Sequence, residues 1–155
     1  MKKWGLVAVA LAVVGILVAP LVFLPSDRDL VIEALDEAII AGREGRPGGV
    51  MEHLSKSIEY NNVPLEDRSA VAEFIRSGKP DVEVLNKEPV VEGDSASIHS
   101  PVRVEFRYGP LQVAQTVEDV RFEFKKETGT RWLVVPVPKW RLVSIQASNF
   151  ELPVP

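Results

Sequence analysis

The chain has 155 residues, with 18 Lys and Arg against 22 Asp and Glu, and a formal net charge of −4. It has no cysteine, which excludes disulfides, thiolate metal sites and a lipidated amino-terminal cysteine. The basic residues are scattered among acids and form no concentrated basic face, so nucleic acid is excluded as a partner.

An uncharged run extends from Trp4 to Leu24, directly behind Met1-Lys2-Lys3. As a helix it would span about 31 Å at ~1.5 Å per residue, close to the ~30 Å hydrocarbon core of a bilayer. We read residues 1–25 as a single-pass membrane anchor, with residues 4–24 in the bilayer. Lys2 and Lys3 precede the run and Asp27, Arg28 and Asp29 follow it, so the lysine bias keeps the amino terminus cytoplasmic. The body of the protein is then periplasmic or extracellular. The competing reading is a cleaved secretory signal, whose apolar core is normally ~7–15 residues; the triplet Ala8-Val9-Ala10 lies too near the start to be its cleavage site. Residues 26–150 form one domain with a single core, and residues 151–155 a short tail.

Ser26 or Asp27 caps a first helix whose Leu30, Val31, Ala34, Leu35, Ala38 and Ile39 share one side. Gly42 and Gly45 end it, Arg46-Pro47-Gly48-Gly49 reads as a turn, and a shorter helix covers Val50 to Leu54. Ser57 to Asn61 suits a brief strand. Pro64 opens a third helix carrying Val71, Phe74 and Ile75, closed by Gly78 and Pro80.

From Val82 the apolar period changes from 3.6 to 2, so the second half is β. Val82 to Val90 is a first strand, turned by Glu92-Gly93-Asp94. In the next strand Ala96, Ile98, Ser100, Val102, Val104 and Phe106 face inward, against His99, Arg103 and Glu105 outward. Leu111 to Lys126 follows, with Val120, Phe122 and Phe124 inward and Arg121 and Glu123 outward; Glu118-Asp119 breaks the alternation as a bulge. Glu127 to Thr130 turns the chain into a last strand from Arg131 to about Ala147. There Pro136 and Pro138 mark an unpaired edge or a bulge. The fold class is α+β: three helices packed on a curved, mostly antiparallel sheet of four to six strands.

The inner faces of these strands carry no ionisable residue, so no catalytic residue is assigned. His53, beside Glu52 and shortly before Tyr60, is the best candidate for a base. His53 and His99 stand far apart without an H-E-x-x-H pattern, and neither a metal nor a cofactor is expected. Tyr60, Trp132 and Trp140 are the candidate ligand contacts, as aromatic faces able to stack on a bound molecule.

The order of elements, with the segment Asp67-Arg68 to Phe74-Ile75 and the closing Trp140-Arg141-Leu142-Val143-Ser144-Ile145, resembles the nuclear transport factor 2-like (NTF2-like) superfamily, which includes SnoaL-like and ketosteroid isomerase-like proteins. The resemblance implies a cystatin-like α+β cone over residues 27–148 and often a dimer formed through the sheet. An anchor before such a domain is similar to the architecture of VirB8-like secretion components and other anchored envelope proteins. It implies a non-enzymatic module that binds an envelope protein partner, a second copy of itself or a small apolar ligand. The alternative implied by the same superfamily is a SnoaL-like isomerase, dehydratase or hydrolase.

Overall fold

The computed structural model describes residues 24–131 and 135–150, with side chains described for all of these except 129–131 and 135–137. The proposed anchor therefore lies outside the described residues apart from Leu24 and Pro25, as does the tail at 151–155. Among the described residues no helix is long and apolar enough to cross a membrane.

Helix α1 (Asp27–Arg43) starts from a capping box: the Ser26 hydroxyl accepts the Asp29 N–H, and the Asp29 carboxylate accepts the Ser26 N–H, both at 3.2 Å. Its buried stripe includes Val31, Ala34 and Leu35. Helix α2 (Pro47–His53) begins where a turn is expected, with Pro47 in its first turn. The glycines serve close packing here: a Cβ on Gly49 would stand 2.8 Å from the Ala41 Cβ of α1. Strand β1 (Leu54–Tyr60) follows α2 at once.

Pro64 does not open the third helix. Asn61 and Asn62 both have positive φ and fold β1 onto the two-residue β2 (Val63–Pro64), with Tyr60 opposite Val63. Two such residues in succession form the tight turn favoured by hairpins. Helix α3 (Arg68–Gly78) starts later, capped by Asp67, whose side chain accepts the Ala70 N–H at 2.9 Å.

The strand expected over Val82–Val90 is two strands, β3 (Asp81–Val84) and β4 (Val90–Glu92). Between them the Leu85 N–H bonds the Pro101 carbonyl and the Asn86 N–H bonds the Ser100 hydroxyl, which takes the chain out of the ladder. Both strands pair antiparallel with β5 (Ser95–Tyr108), which pairs in turn with β6 (Leu111–Arg131). The last strand is β7 (Val135–Ala147). No turn falls at Glu127–Thr130: Thr128 stands opposite Pro138 and Gly129 opposite Val137. A register held by Phe122↔Ile145 and Phe124↔Leu142 carries the ladder through the single glycine.

The sheet has seven strands in the order β2-β1-β7-β6-β5-β3, with β4 also on β5, so it is six strands wide. Its pairs are antiparallel except β1 with β7, which is parallel. The bulge expected at Glu118–Asp119 is present: Ser100 faces Val120 and Val102 faces Val117, leaving two residues opposite Pro101. Beyond Leu142 the amino-terminal half of β7 has no β1 partner, so Pro136 and Pro138 lie on a half-free strand, as their missing N–H groups require.

Candidate functional site

The inner face of the sheet is packed against α1. Val31, Ile98, Phe124 and Trp140 are among its least exposed side chains, joined by Val102, Val120 and Phe122. Ser100 is its one polar member on β5, and its hydroxyl is fully engaged: it accepts the Asn86 N–H and donates to the Pro101 carbonyl at 2.7 Å. The described inner face thus offers mainly apolar surface, with Asp27 and Lys126 paired to each other at its Trp140 corner.

Of the three residues expected to contact a ligand, the two that are described, Tyr60 and Trp140, do not come together. Trp140 is 1% exposed, and its indole N–H donates to Asp27 Oδ1 at 3.2 Å. Lys126 closes that corner, 3.1 Å from the Asp27 carboxylate and 5.8 Å from the indole centroid. Tyr60 stands beside Ile145 at the far end of the β1–β7 pair, roughly 17 Å along the sheet from Trp140 at ~3.3 Å per residue. It is half-buried, and its hydroxyl donates to the Phe150 carbonyl. Trp132 lies outside the described residues.

His53 closes α2 with its side chain only 11% exposed. Nε2 is 3.1 Å from the Glu37 carboxylate, while Nδ1 is buried without a hydrogen-bond partner among the described residues. Burial pushes the imidazole pKa below its ordinary value, opposed by the negative charges of Glu37 and Glu52. A neutral ring donating Nε2–H to Glu37 leaves Nδ1 a bare acceptor. Lys139 bridges to Glu52 at 2.8 Å, and Arg141 pairs with Glu127 at 2.7 Å.

Among the described residues, the outer face of the sheet is open. His99, Arg103, Glu105 and Arg121 are exposed there, as their parity predicts. Arg103 meets Glu83 directly across the β3–β5 pair at 3.2 Å, and Arg121 meets Glu123 at 3.3 Å. At the bulge the extra residue aims Asp119 at His99, and the two side chains are in direct contact. They line a groove of about 550 Å³ with Asn61, Ser97, Arg121 and Gln146. The Asn61 amide builds one wall by bonding both polar groups of Ala147, its Oδ1 accepting the N–H at 2.8 Å and its Nδ2 donating to the carbonyl at 3.1 Å. Asn61 is the groove residue that a strand reading of Ser57–Asn61 misses. The signal for it was the Asn-Asn pair, which tolerates positive φ.

No protein-family model matches the sequence, and neither does any curated protein. Solved structures define the class by fold. An NTF2-like protein from Cytophaga hutchinsonii superposes with a TM-score of 0.58, covering 81% of this chain and 100% of its own at 10% identity. An NTF2-like protein from Rhodospirillum rubrum, described as of unknown function in nutrient uptake, gives 0.55 over 76% of this chain and 96% of its own at 14% identity. The S. rosetta CaMKII hub gives 0.54 over 81% and 98%, at 15% identity. The chain has the NTF2-like fold, an α+β cone with a curved mixed sheet and three helices. At these identities the likeness concerns the fold alone.

Proposed function

We propose that this protein is a non-enzymatic association module, an NTF2-like domain held at a membrane by residues 4–24 and working on the extracytoplasmic side. The observation that carries this reading is the contrast between the two sheet faces. The inner face is apolar, and the polar groups of Ser100, Trp140 and Tyr60 are spent on internal bonds. The outer face presents exposed strands and a polar groove. The same fold serves as a hub in the S. rosetta CaMKII structure, so self-association is within its repertoire. The uncharged run supports the tether, which raises the effective concentration of weakly interacting domains at one surface. The test is crosslinking of the full chain in its native membrane: a crosslinked dimer or a reproducible envelope partner is expected. A chain that stays monomeric and retrieves no partner would overturn the reading.

One observation favours the second reading, a SnoaL-like enzyme. His53 combines burial, a carboxylate neighbour and an unpartnered Nδ1, the attributes of a general base. In that case His53→Gln abolishes turnover of a small carbonyl substrate while leaving the fold and any dimer intact.

A further inference from the structure

The sheet edges of this fold are blunted, with one exception among the described residues. β2 is two residues long and ends in Pro64, and the stretch of β1 it leaves uncovered carries Lys56 and has its Ser55 and Ile58 carbonyls taken by Arg68 and the Leu65 N–H. β3 carries Asp81 and Glu83, engaged by Arg43 and Arg103, and β4 has three residues. The half-free part of β7 contains Pro136 and Pro138. Shortness, charge and proline are the means by which native sheets discourage pairing with other chains.

The exception is the first part of β6, Leu111–Val117. It pairs with β5 on one side, from Tyr108↔Leu111 to Val102↔Val117. On its other side the β7 ladder reaches only Val120↔Ala147. The Ser148 N–H still bonds the Asp119 carbonyl at 3.2 Å; the chain then turns at Asn149, φ 61°, and Phe150 is held by Tyr60 of β1, on the far side of β7. The turn carries the chain away from the β6 edge. Alternate residues of Leu111–Val117 therefore direct N–H and C=O groups outward with no described strand to receive them. The segment Leu-Gln-Val-Ala-Gln-Thr-Val has no charge, no proline and no glycine, and Leu111, Gln112, Ala114, Gln115 and Thr116 are exposed.

We infer that this edge pairs antiparallel with the same edge of a second copy of the chain, joining two sheets into one. The inference rests on the association reading and names its surface. A two-fold antiparallel pair sets residues of like parity opposite each other. Centred on Ala114, it places Ala114 against itself, Val113 against Gln115, Gln112 against Thr116 and Leu111 against Val117. The smallest side chain stands on the axis, and apolar residues close both ends. Self-pairing places every charge near its own copy, which is destabilising, and a seven-residue segment without charge meets no such penalty. Asp81 and Glu83 deny the same pairing to β3.

The chain is free of cysteine, so single substitutions report contacts in the full-length protein in its membrane. Ala114→Cys sets two thiols across the axis with Cα atoms ~4.5–5.5 Å apart, within the ~4.4–6.8 Å that a disulfide spans. Arg121→Cys reports face-to-face contact instead. Mild oxidation is expected to convert the Ala114→Cys chain to a covalent dimer several-fold faster than the Arg121→Cys chain. Ala114→Lys sets two ammonium groups opposite each other in the pair, yet gives each a Glu105 neighbour across its own β5–β6 ladder. It is expected to abolish the crosslinked dimer of the full chain in its membrane with the thermal midpoint of the domain unchanged. A dimer that links through Arg121 and still crosslinks in the membrane with Ala114→Lys overturns the edge and leaves the association reading standing. A monomeric full chain overturns both, and if removal of residues 151–155 then releases a dimer through Ala114, the chain's own tail is the occupant of the edge.

Discussion

Asp27 ties the start of α1 to the last two strands. Its carboxylate accepts the Trp140 N–H, pairs with Lys126, and sits in the first helical turn, where negative charge is favoured. Trp140 is buried, and Asp27 is the acceptor its N–H meets. Asp27→Ala is expected to lower stability by about 1–3 kcal/mol, the usual penalty for an unsatisfied buried donor, read as a fall in the urea midpoint. Asp27→Asn keeps an acceptor oxygen and is expected to recover part of that loss. His53 supplies a pH dependence with a definite sign. Its pKa lies below the ordinary 6.5 because burial disfavours the charged ring. As pH falls below 6.5 the unfolded chain takes up a proton that the folded chain refuses. Stability is therefore full above that pH and declines until the folded pKa is reached. His53→Gln is expected to flatten this limb, measured as thermal midpoints between pH 7 and the acid side of the window.

Among the elements, the bulge at Glu118–Asp119 decides how β6 faces the core. Val117 and Val120 are three apart, yet both point inward, at 6% and 4% exposure, because two residues share the space opposite Pro101. Proline suits that position, having no N–H to leave unpaired. Deleting Asp119 sets Val117 and Val120 two apart, so strict alternation keeps both on the core face and Glu118 alone stands opposite Pro101. The deletion is therefore expected to leave the urea midpoint near its parent value while removing the exposed Asp119 contact to His99. Urea unfolding of the deletion variant checks this. The bulge was legible in the sequence because two consecutive acids interrupt an otherwise regular apolar period. β5 was legible for the same reason, its inward residues keeping phase from Ala96 to Phe106, and so was the open outer face carrying His99, Arg103 and Arg121. Elements specified by one or two residues were not. Asn61-Asn62 makes a hairpin only if both residues accept positive φ, and Gly129 marks a turn only if the ladder around it is weak. The parallel β1–β7 pair joins segments far apart in sequence, and no local period encodes it. Burial of Trp140 against Asp27 depends on the same long-range assembly.

On the proposed reading, the whole molecule couples a weak contact to a tether that makes it effective. A seven-residue edge pair is small beside the ~1,200–2,000 Å² of a standard interface, and in dilute solution it would dissociate readily. Confinement at one surface turns that contact into a local one, which is why the uncharged run and the uncharged edge belong to one functional reading. That reading requires the edge and the anchor's amino terminus to lie on opposite sides of the bilayer. Two single cysteines in the otherwise cysteine-free chain test this: Lys3→Cys before the run, and Glu66→Cys in the exposed loop ahead of α3. With a membrane-impermeant maleimide on intact cells, Glu66→Cys is expected to label and Lys3→Cys to label only after lysis. The reverse pattern would invert the topology predicted by Lys2 and Lys3. Protection of both until lysis would place the domain in the cytoplasm, and any pairing through Leu111–Val117 would then have to hold without the outer surface as its meeting place.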